Sequence, residues 1–301
     1  MIFKKNNPFY LTITTFFSLI IVSCSVDLDE DYTKKTGDKP LVLTTFTVLA
    51  DMAKNVAGDR LFVDSITKPG AEIHGYQPTP SDLVKASKAD LIIENGFGLE
   101  RWINKFTAAA GEDVPTVVLT KGMNPILIEG DIYSGKPNPH AWMSPRRALI
   151  YVDNIINAFI DLDPESEQYY RQNGETYKKK LMLLDKELKR SISLIPQGRR
   201  VLVSCEGAFT YLANDYGLEE AYLWPVNSES QVTPRRMQNL IEKIKEKNIQ
   251  SIFCESTVSS KPQREVAKAS GARFGGTFYV DSLSKVDGPA SSLLNLQRHN
   301  V

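Results

Sequence analysis

Residues 163–195 read DPESEQYYRQNGETYKKKLMLLDKELKRSISLI, and this stretch decides the fold. Asp163 and Pro164 form a cap-plus-proline helix start. Tyr170, Tyr177, Leu181, Leu184, Leu188 and Ile192 then recur at helical spacing, separated by Lys, Glu and Arg, the pattern of an amphipathic helix. Gly174 weakens the helix without breaking the stripe, and Pro196-Gln-Gly198 ends it. About thirty residues rising roughly 1.5 Å each span about 45 Å. That length exceeds an ordinary globular helix and is enough to bridge two lobes.

Strand and helix alternate on both sides of it. Upstream, strands are predicted at 41–46, 61–67, 90–94 and 116–119. Between them come helices running to Ala57, from Pro80 to Ala89 (capped by Thr79 or Ser81) and from Gly98 to Ala110. A helix from Pro145 to Leu162, with Ser144 at its N-cap, closes this half. Downstream, strands at 200–204, 220–226, 251–254 and 273–280 alternate with helices at 208–216, 234–247 and 262–269. Alternation of this kind predicts parallel sheets covered by helices on both faces. The fold class is therefore α/β, with two such lobes joined by one long rigid helix.

The N-terminus reads as an export signal. Lys4 and Lys5 precede an apolar run from Phe9 to Val22, too short and wrongly flanked for a membrane span. It ends in Ile21-Val22-Ser23-Cys24, which resembles the bacterial lipobox, where the cysteine carries lipid. Residues 25–39 hold too little apolar surface to pack. The expected organisation is a signal peptide at 1–23, lipidated Cys24 with a flexible tether at 24–40, a first lobe at 41–163, the linking helix at 164–196 and a second lobe at 197–301.

Lys plus Arg and Asp plus Glu number 36 each, so the formal net charge is zero. With no basic block in the folded part, nucleic-acid binding has no electrostatic footprint. Cys205 and Cys254 each end an apolar run. Two thiols are not a disulfide framework; both buried thiols and a single disulfide stay open.

Only three histidines occur among the 301 residues. His74 lies in EIHGYQPTP (72–80) and His140 in PNPHAW (137–142), two stiff segments, whereas His299 near the C-terminus reads as surface. In open α/β sheets ligands bind beyond the carboxyl ends of the strands. His74 and His140 occupy such loops in the first lobe, and Glu206 and Asp281 follow the first and last strands of the second. Glu255 also follows a strand and is the rival carboxylate. Two neutral imidazoles and two carboxylates around a divalent cation make a locally neutral site.

At these residues the chain resembles the TroA-like family, the metal-binding lipoproteins of manganese, zinc and iron ABC importers. The matching stretches are TFTVLAD (45–51), HGYQP (74–78), ADL (89–91), NGFGLE (95–100), NPHAW (138–142), EGAF (206–209), DYG (215–217), FCES (253–256) and VDSL (280–283). They run in order from Leu41 to the C-terminus. The resemblance implies two lobes on a single long helix, and metal ligands at His74, His140, Glu206 and Asp281. It leaves Glu255 a structural neighbour of the site. Cys205, beside Glu206, departs from the family and stands either behind the ligands or against the ion. The chain also stops at Val301, earlier in the final helix than relatives do, which puts the packing of that edge in question.

The family context bears on the metal as well. Zinc-favouring members commonly carry histidine where this chain has Glu206, and many have a His-rich loop before the second histidine motif. Residues 124–138 hold no histidine. The implied cargo is Mn2+, with Zn2+ as a tight competitor and Fe2+ as a further candidate. The implied partners are an ABC permease with its ATPase subunit and a bacterial membrane reached through Cys24. The protein is expected to work as an extracytoplasmic, lipid-anchored monomer. An enzyme reading finds no HExxH helix, nucleophile elbow or phosphate loop, and a haem, siderophore or cobalamin binder would not need this ligand set.

Overall fold

The computed structural model describes residues 37–111, 114–129, 133–226 and 232–301. The expected signal peptide, Cys24 and most of the tether lie outside the described residues. No described helix is long and apolar enough to cross a membrane.

The first lobe is built on four parallel strands, β1 (Leu41–Thr44), β2 (Phe62–Ser65), β3 (Leu91–Glu94) and β4 (Thr116–Val118), in the order β2-β1-β3-β4. Val42 on the central strand pairs with Val63 on one side and Leu91 on the other. Both of its faces are covered, which is why Leu41, Val42, Leu43, Leu91, Ile92 and Ile93 form unbroken apolar runs and are buried. Helices α1 (Thr47–Ala57), α2 (Pro80–Ala86), α3 (Ile103–Ala110) and α4 (Pro145–Leu162) complete it.

The linking helix α5 spans Glu167–Ser193, 27 residues, preceded by a 3-10 turn over Pro164–Ser166. Its buried residues are the expected stripe plus Gly174. A Cβ at Gly174 would collide with the Ile156 side chain of α4, so the glycine permits close helix approach. The helix packs on α1, α4 and the C-terminal helix α9 (Leu293–Asn300). Asp185 on α5 accepts from Arg146 Nε at 2.6 Å and from the Tyr216 hydroxyl at 2.7 Å, tying α5 to residues before and after it in the chain.

The second lobe contains β5 (Val201–Glu206), α6 (Thr210–Tyr216), β6 (Glu219–Trp224), α7 (Pro234–Glu246), β7 (Ser251–Glu255), α8 (Lys261–Ser270) and β8 (Arg273–Phe278). Its strands form two parallel ladders, β5-β6 and β7-β8. Thr79 and Thr233 cap α2 and α7 through their hydroxyls.

Two expectations are corrected. The helix placed from Gly98 begins only at Ile103, because Gly96, Phe97 and Gly98 all take positive φ. That turn swings Glu100 inward, where its carboxylate accepts from Asn95 N, Gly96 N and the Thr45 hydroxyl. The last strand ends at Phe278, not Val280, since the Asn300 side chain takes both the N–H and the carbonyl of Tyr279. Ser144 occupies the N-cap position of α4 but donates its hydroxyl to Asp215 instead. The short final helix is well seated: Gln297 donates to Trp142 O at 2.6 Å and Leu293 N to Asp51.

Candidate metal centre

The loop bearing His74 is pinned at both ends. Glu72 accepts the backbone N–H groups of His74 and Gly75. The Ile73 carbonyl takes the Trp102 indole N–H at 3.2 Å. Beyond the histidine, Asp82 accepts from the Tyr76 hydroxyl and from the Thr79 N–H and hydroxyl.

His140 is fixed by Asn138. The Asn138 Oδ1 accepts from His140 N and meets His140 Nδ1, both at 3.0 Å. A carboxamide oxygen only accepts, so Nδ1 carries the proton and Nε2 presents its lone pair. The same Asn138 donates through Nδ2 to Gly207 O and Thr210 Oγ1. One side chain thus orients His140 and holds the residue after Glu206.

Other hydrogen bonds cross between the lobes around the same point. Trp142 Nε1 donates to Val280 O, Gly70 N to the Ser282 hydroxyl and Leu283 N to the Thr47 hydroxyl. These three bracket Asp281. On the other side Arg147 makes two bonds to Asp215, at 3.0 and 2.7 Å.

The result is a cluster of one ligand atom each from His74, His140, Glu206 and Asp281, all within 4.8 Å of one another. The two Nε2 atoms lie 3.2 Å apart. His74 Nε2 is 3.4 Å from Glu206 Oε1 and 3.7 Å from Asp281 Oδ2. His140 Nε2 is 4.0 and 3.6 Å from the same two carboxylates. Four donors about 2.1 Å from a central ion stand roughly 3.4 Å apart in a tetrahedron, so these separations match a shell drawn around one cation. None of the four residues is more than 4% exposed.

The electrostatics point the same way. Burial, then the neighbouring His74, hold His140 well below the usual histidine range, so it stays neutral. Burial, then the charge of Glu72, push Asp281 up to about 8. Both Asp281 oxygens are buried, with the Thr257 side chain the one hydrogen-bonding group beside them outside the cluster among the described residues. A buried carboxyl facing two imidazoles is costly to ionise unless a cation completes it.

The rival residues are separated from this cluster. Glu255 lies behind it, with Oε1 accepting Glu206 N at 3.4 Å, and burial pushes it up to about 8. Cys205 is joined to Cys254 in a disulfide, so its sulfur is not offered to an ion. His299 is exposed, with Nε2 at 3.0 Å from Thr277 O. Sequence reasoning quoted Asn138 inside a motif but gave it no role. The signal was its place two residues before a histidine in a proline-stiffened turn.

Comparison with known proteins identifies the family. The family model described as the periplasmic component A of the zinc-uptake complex matches residues 42–301. The chain belongs to this zinc-uptake component A family. Among relatives of this family, the iron-binding protein YfeA of Yersinia pestis is 48% identical over 301 residues, covering 98% of this chain and 96% of its own. The manganese ABC transporter substrate-binding lipoprotein PsaA of Streptococcus pneumoniae is 35% identical, covering 89% of this chain and 88% of its own. A manganese-bound periplasmic metal-binding protein from Candidatus Liberibacter asiaticus superposes with a TM-score of 0.81 at 38% identity. The match covers 87% of this chain and 97% of that one. The TroA-like resemblance drawn from the motifs holds. The family consists of solute-binding components of importers, not enzymes.

Proposed function

We propose that this protein captures Mn2+ outside the cytoplasmic membrane and hands it to an ABC permease driven by its ATPase subunit. His74, His140, Glu206 and Asp281 are the ligands. Cys24 carries the lipid that keeps the protein, a monomer, at the membrane. The observation that supports this most is the buried cluster of two imidazoles and two carboxylates.

Two carboxylates, each able to offer a second oxygen, suit a hard cation that takes more than four donors, as Mn2+ does. Zn2+ competes through raw affinity in the Irving–Williams order. Fe2+ is the second reading, because the 48%-identical relative is named for iron. The long helix α5 packs along α1, α4 and α9, so release proceeds by modest local opening instead of a wide hinge.

The test is thermal stability of the metal-stripped protein against a panel of divalent ions, with haem and siderophore controls. A ligand at about 1,000 times its Kd adds roughly 4 kcal/mol, or roughly 8–16 °C in Tm for a chain this size. Mn2+, Fe2+ and Zn2+ are expected to give such shifts, and Glu206→Ala to lose most of them. A shift with a chelate alone, or with nothing, would remove the proposal.

Capture is also expected to depend on pH. In the metal-free protein Asp281, at about 8, holds a proton below that pH. Metal must displace it, so affinity falls as pH drops below 8 and levels off above. His140, already neutral, releases none. Calorimetry at pH 7 in two buffers of different ionisation enthalpy should show net proton release on metal binding; no release would contradict the titration scheme.

A further inference from the structure

The buried stripe of α5 faces the protein, and the opposite face of the same helix is exposed. Lys179, Lys186, Lys189 and Arg190 recur on that outward face at the spacings that bring helical residues onto one side. None of these cations makes an ion pair among the described residues. Met182 and Leu183 stand between them, and Leu194 follows at the C-cap on the same side; they are 44, 58 and 79% exposed.

The carboxylates that border this face are already matched, Glu175 with Lys178 and Glu187 with Arg298. The face is therefore cationic in a chain whose formal net charge is zero. Apolar side chains standing among cations on an exposed helix face fit an anionic, layered surface. The cations meet headgroup phosphates while the apolar groups enter just below them. A second copy of the same face would set these cations against their own kind, which disfavours self-pairing.

The place where the chain enters the fold supports the same partner. Entry is at Pro40, whose carbonyl accepts from Phe62 N. The N-terminal end of α5 lies beside it: Tyr169 donates its hydroxyl to Asp59, and Asn173 donates to Val56 O. Residues 25–40, fully extended, reach at most about 55 Å at roughly 3.3–3.6 Å each. The 27 residues of α5 measure about 40 Å. A lipid at Cys24 thus leaves the whole face within reach of the bilayer.

We infer that the outward face of α5 is a membrane-docking surface that lies on anionic lipid headgroups. The inference takes from the proposed function that Cys24 carries a lipid. Anchor and face are then two separate signals for one membrane. The lipid keeps the protein at the bilayer, and the face sets how it lies there.

The test uses the chain from residue 24 onward, with Cys24→Ser so that no lipid holds it. It is sedimented at low salt with vesicles of phosphatidylcholine, with or without added phosphatidylglycerol. Binding is expected to the anionic vesicles only, and to fall as salt is raised. One Lys or Arg near such a surface is worth about fivefold in partitioning, so Lys186→Gln/Lys189→Gln/Arg190→Gln should lose on the order of 100-fold. Lys245→Gln/Lys268→Gln/Lys285→Gln removes as many exposed cations elsewhere and should lose no more than about threefold. Leu183→Gln should weaken binding about tenfold and leave its salt dependence unchanged.

All these side chains are exposed, so the variants should melt within about 2 °C of the parent, which checks their folds. An equal loss in the two triple variants would reduce the effect to net charge and would overturn the inference. So would an absence of binding to anionic vesicles, or self-association in sedimentation velocity that the first triple variant abolishes. The chain under test carries no lipid, so its vesicle binding is read independently of the anchor. Incorporation of labelled palmitate at Cys24 in cells tests the anchor by itself, and either can fail without the other.

Discussion

His140→Ala is expected to cut Mn2+ affinity by on the order of 10²–10³-fold while leaving the fold intact. The roughly 10–16 kcal/mol of a four-ligand structural zinc site divides into about 2.5–4 kcal/mol per ligand, an upper scale for Mn2+. His140 is the proposed ligand whose geometry is most firmly set, because Asn138 fixes its tautomer and its ring. The imidazole is buried but neutral, so its removal strands no charge in the metal-free protein. Isothermal titration with Mn2+ reads the loss, and the melting temperature of the metal-free variant reads the fold. An affinity within a few-fold of the parent would take His140 out of the ligand set.

Trp142→Ala is expected to cost about 3–5 kcal/mol of stability, roughly 6–20 °C in Tm. Trp142 is fully buried, with its ring centroid 5.0 Å from that of Phe46 and 5.2 Å from that of His140. Its indole N–H holds Val280 O at 3.1 Å, and its own carbonyl accepts from Gln297. The substitution leaves a cavity and frees the carbonyl just before Asp281. Metal affinity should therefore fall together with stability. Trp142→Phe, which keeps most of the volume but loses the N–H, should recover stability more than affinity. Thermal melts with and without Mn2+ separate the two. A full return of affinity in the phenylalanine variant would mean that the Val280 contact does not position Asp281.

The long helix was the most legible part of the fold. Its stripe from Tyr170 to Ile192 needs only helical periodicity, and all six expected residues are buried on α5. The histidines were legible by scarcity and by their stiff settings, and the strand-end rule pointed to Glu206 and Asp281. The structure brings those four side chains together. Choosing Glu206 over Glu255 was beyond spacing alone, since both end neighbouring strands; the family resemblance separated them.

What stayed hidden depends on contacts made across long stretches of chain. Cys205 and Cys254 are 49 residues apart and become partners only once β5 lies beside β7. The double role of Asn138 needs both lobes in place, because its acceptor Gly207 O lies 69 residues away. The inward turn of Glu100 follows from three consecutive positive φ values, one of them at Phe97, a residue type with no preference for that region.

The most direct measurement is anomalous diffraction from crystals of the protein soaked in Mn2+, recorded near the manganese edge. One strong peak is expected, within about 2.0–2.3 Å of His74 Nε2, His140 Nε2 and oxygens of Glu206 and Asp281. A peak elsewhere, or a centre that leaves out any of the four, would contradict the proposed site.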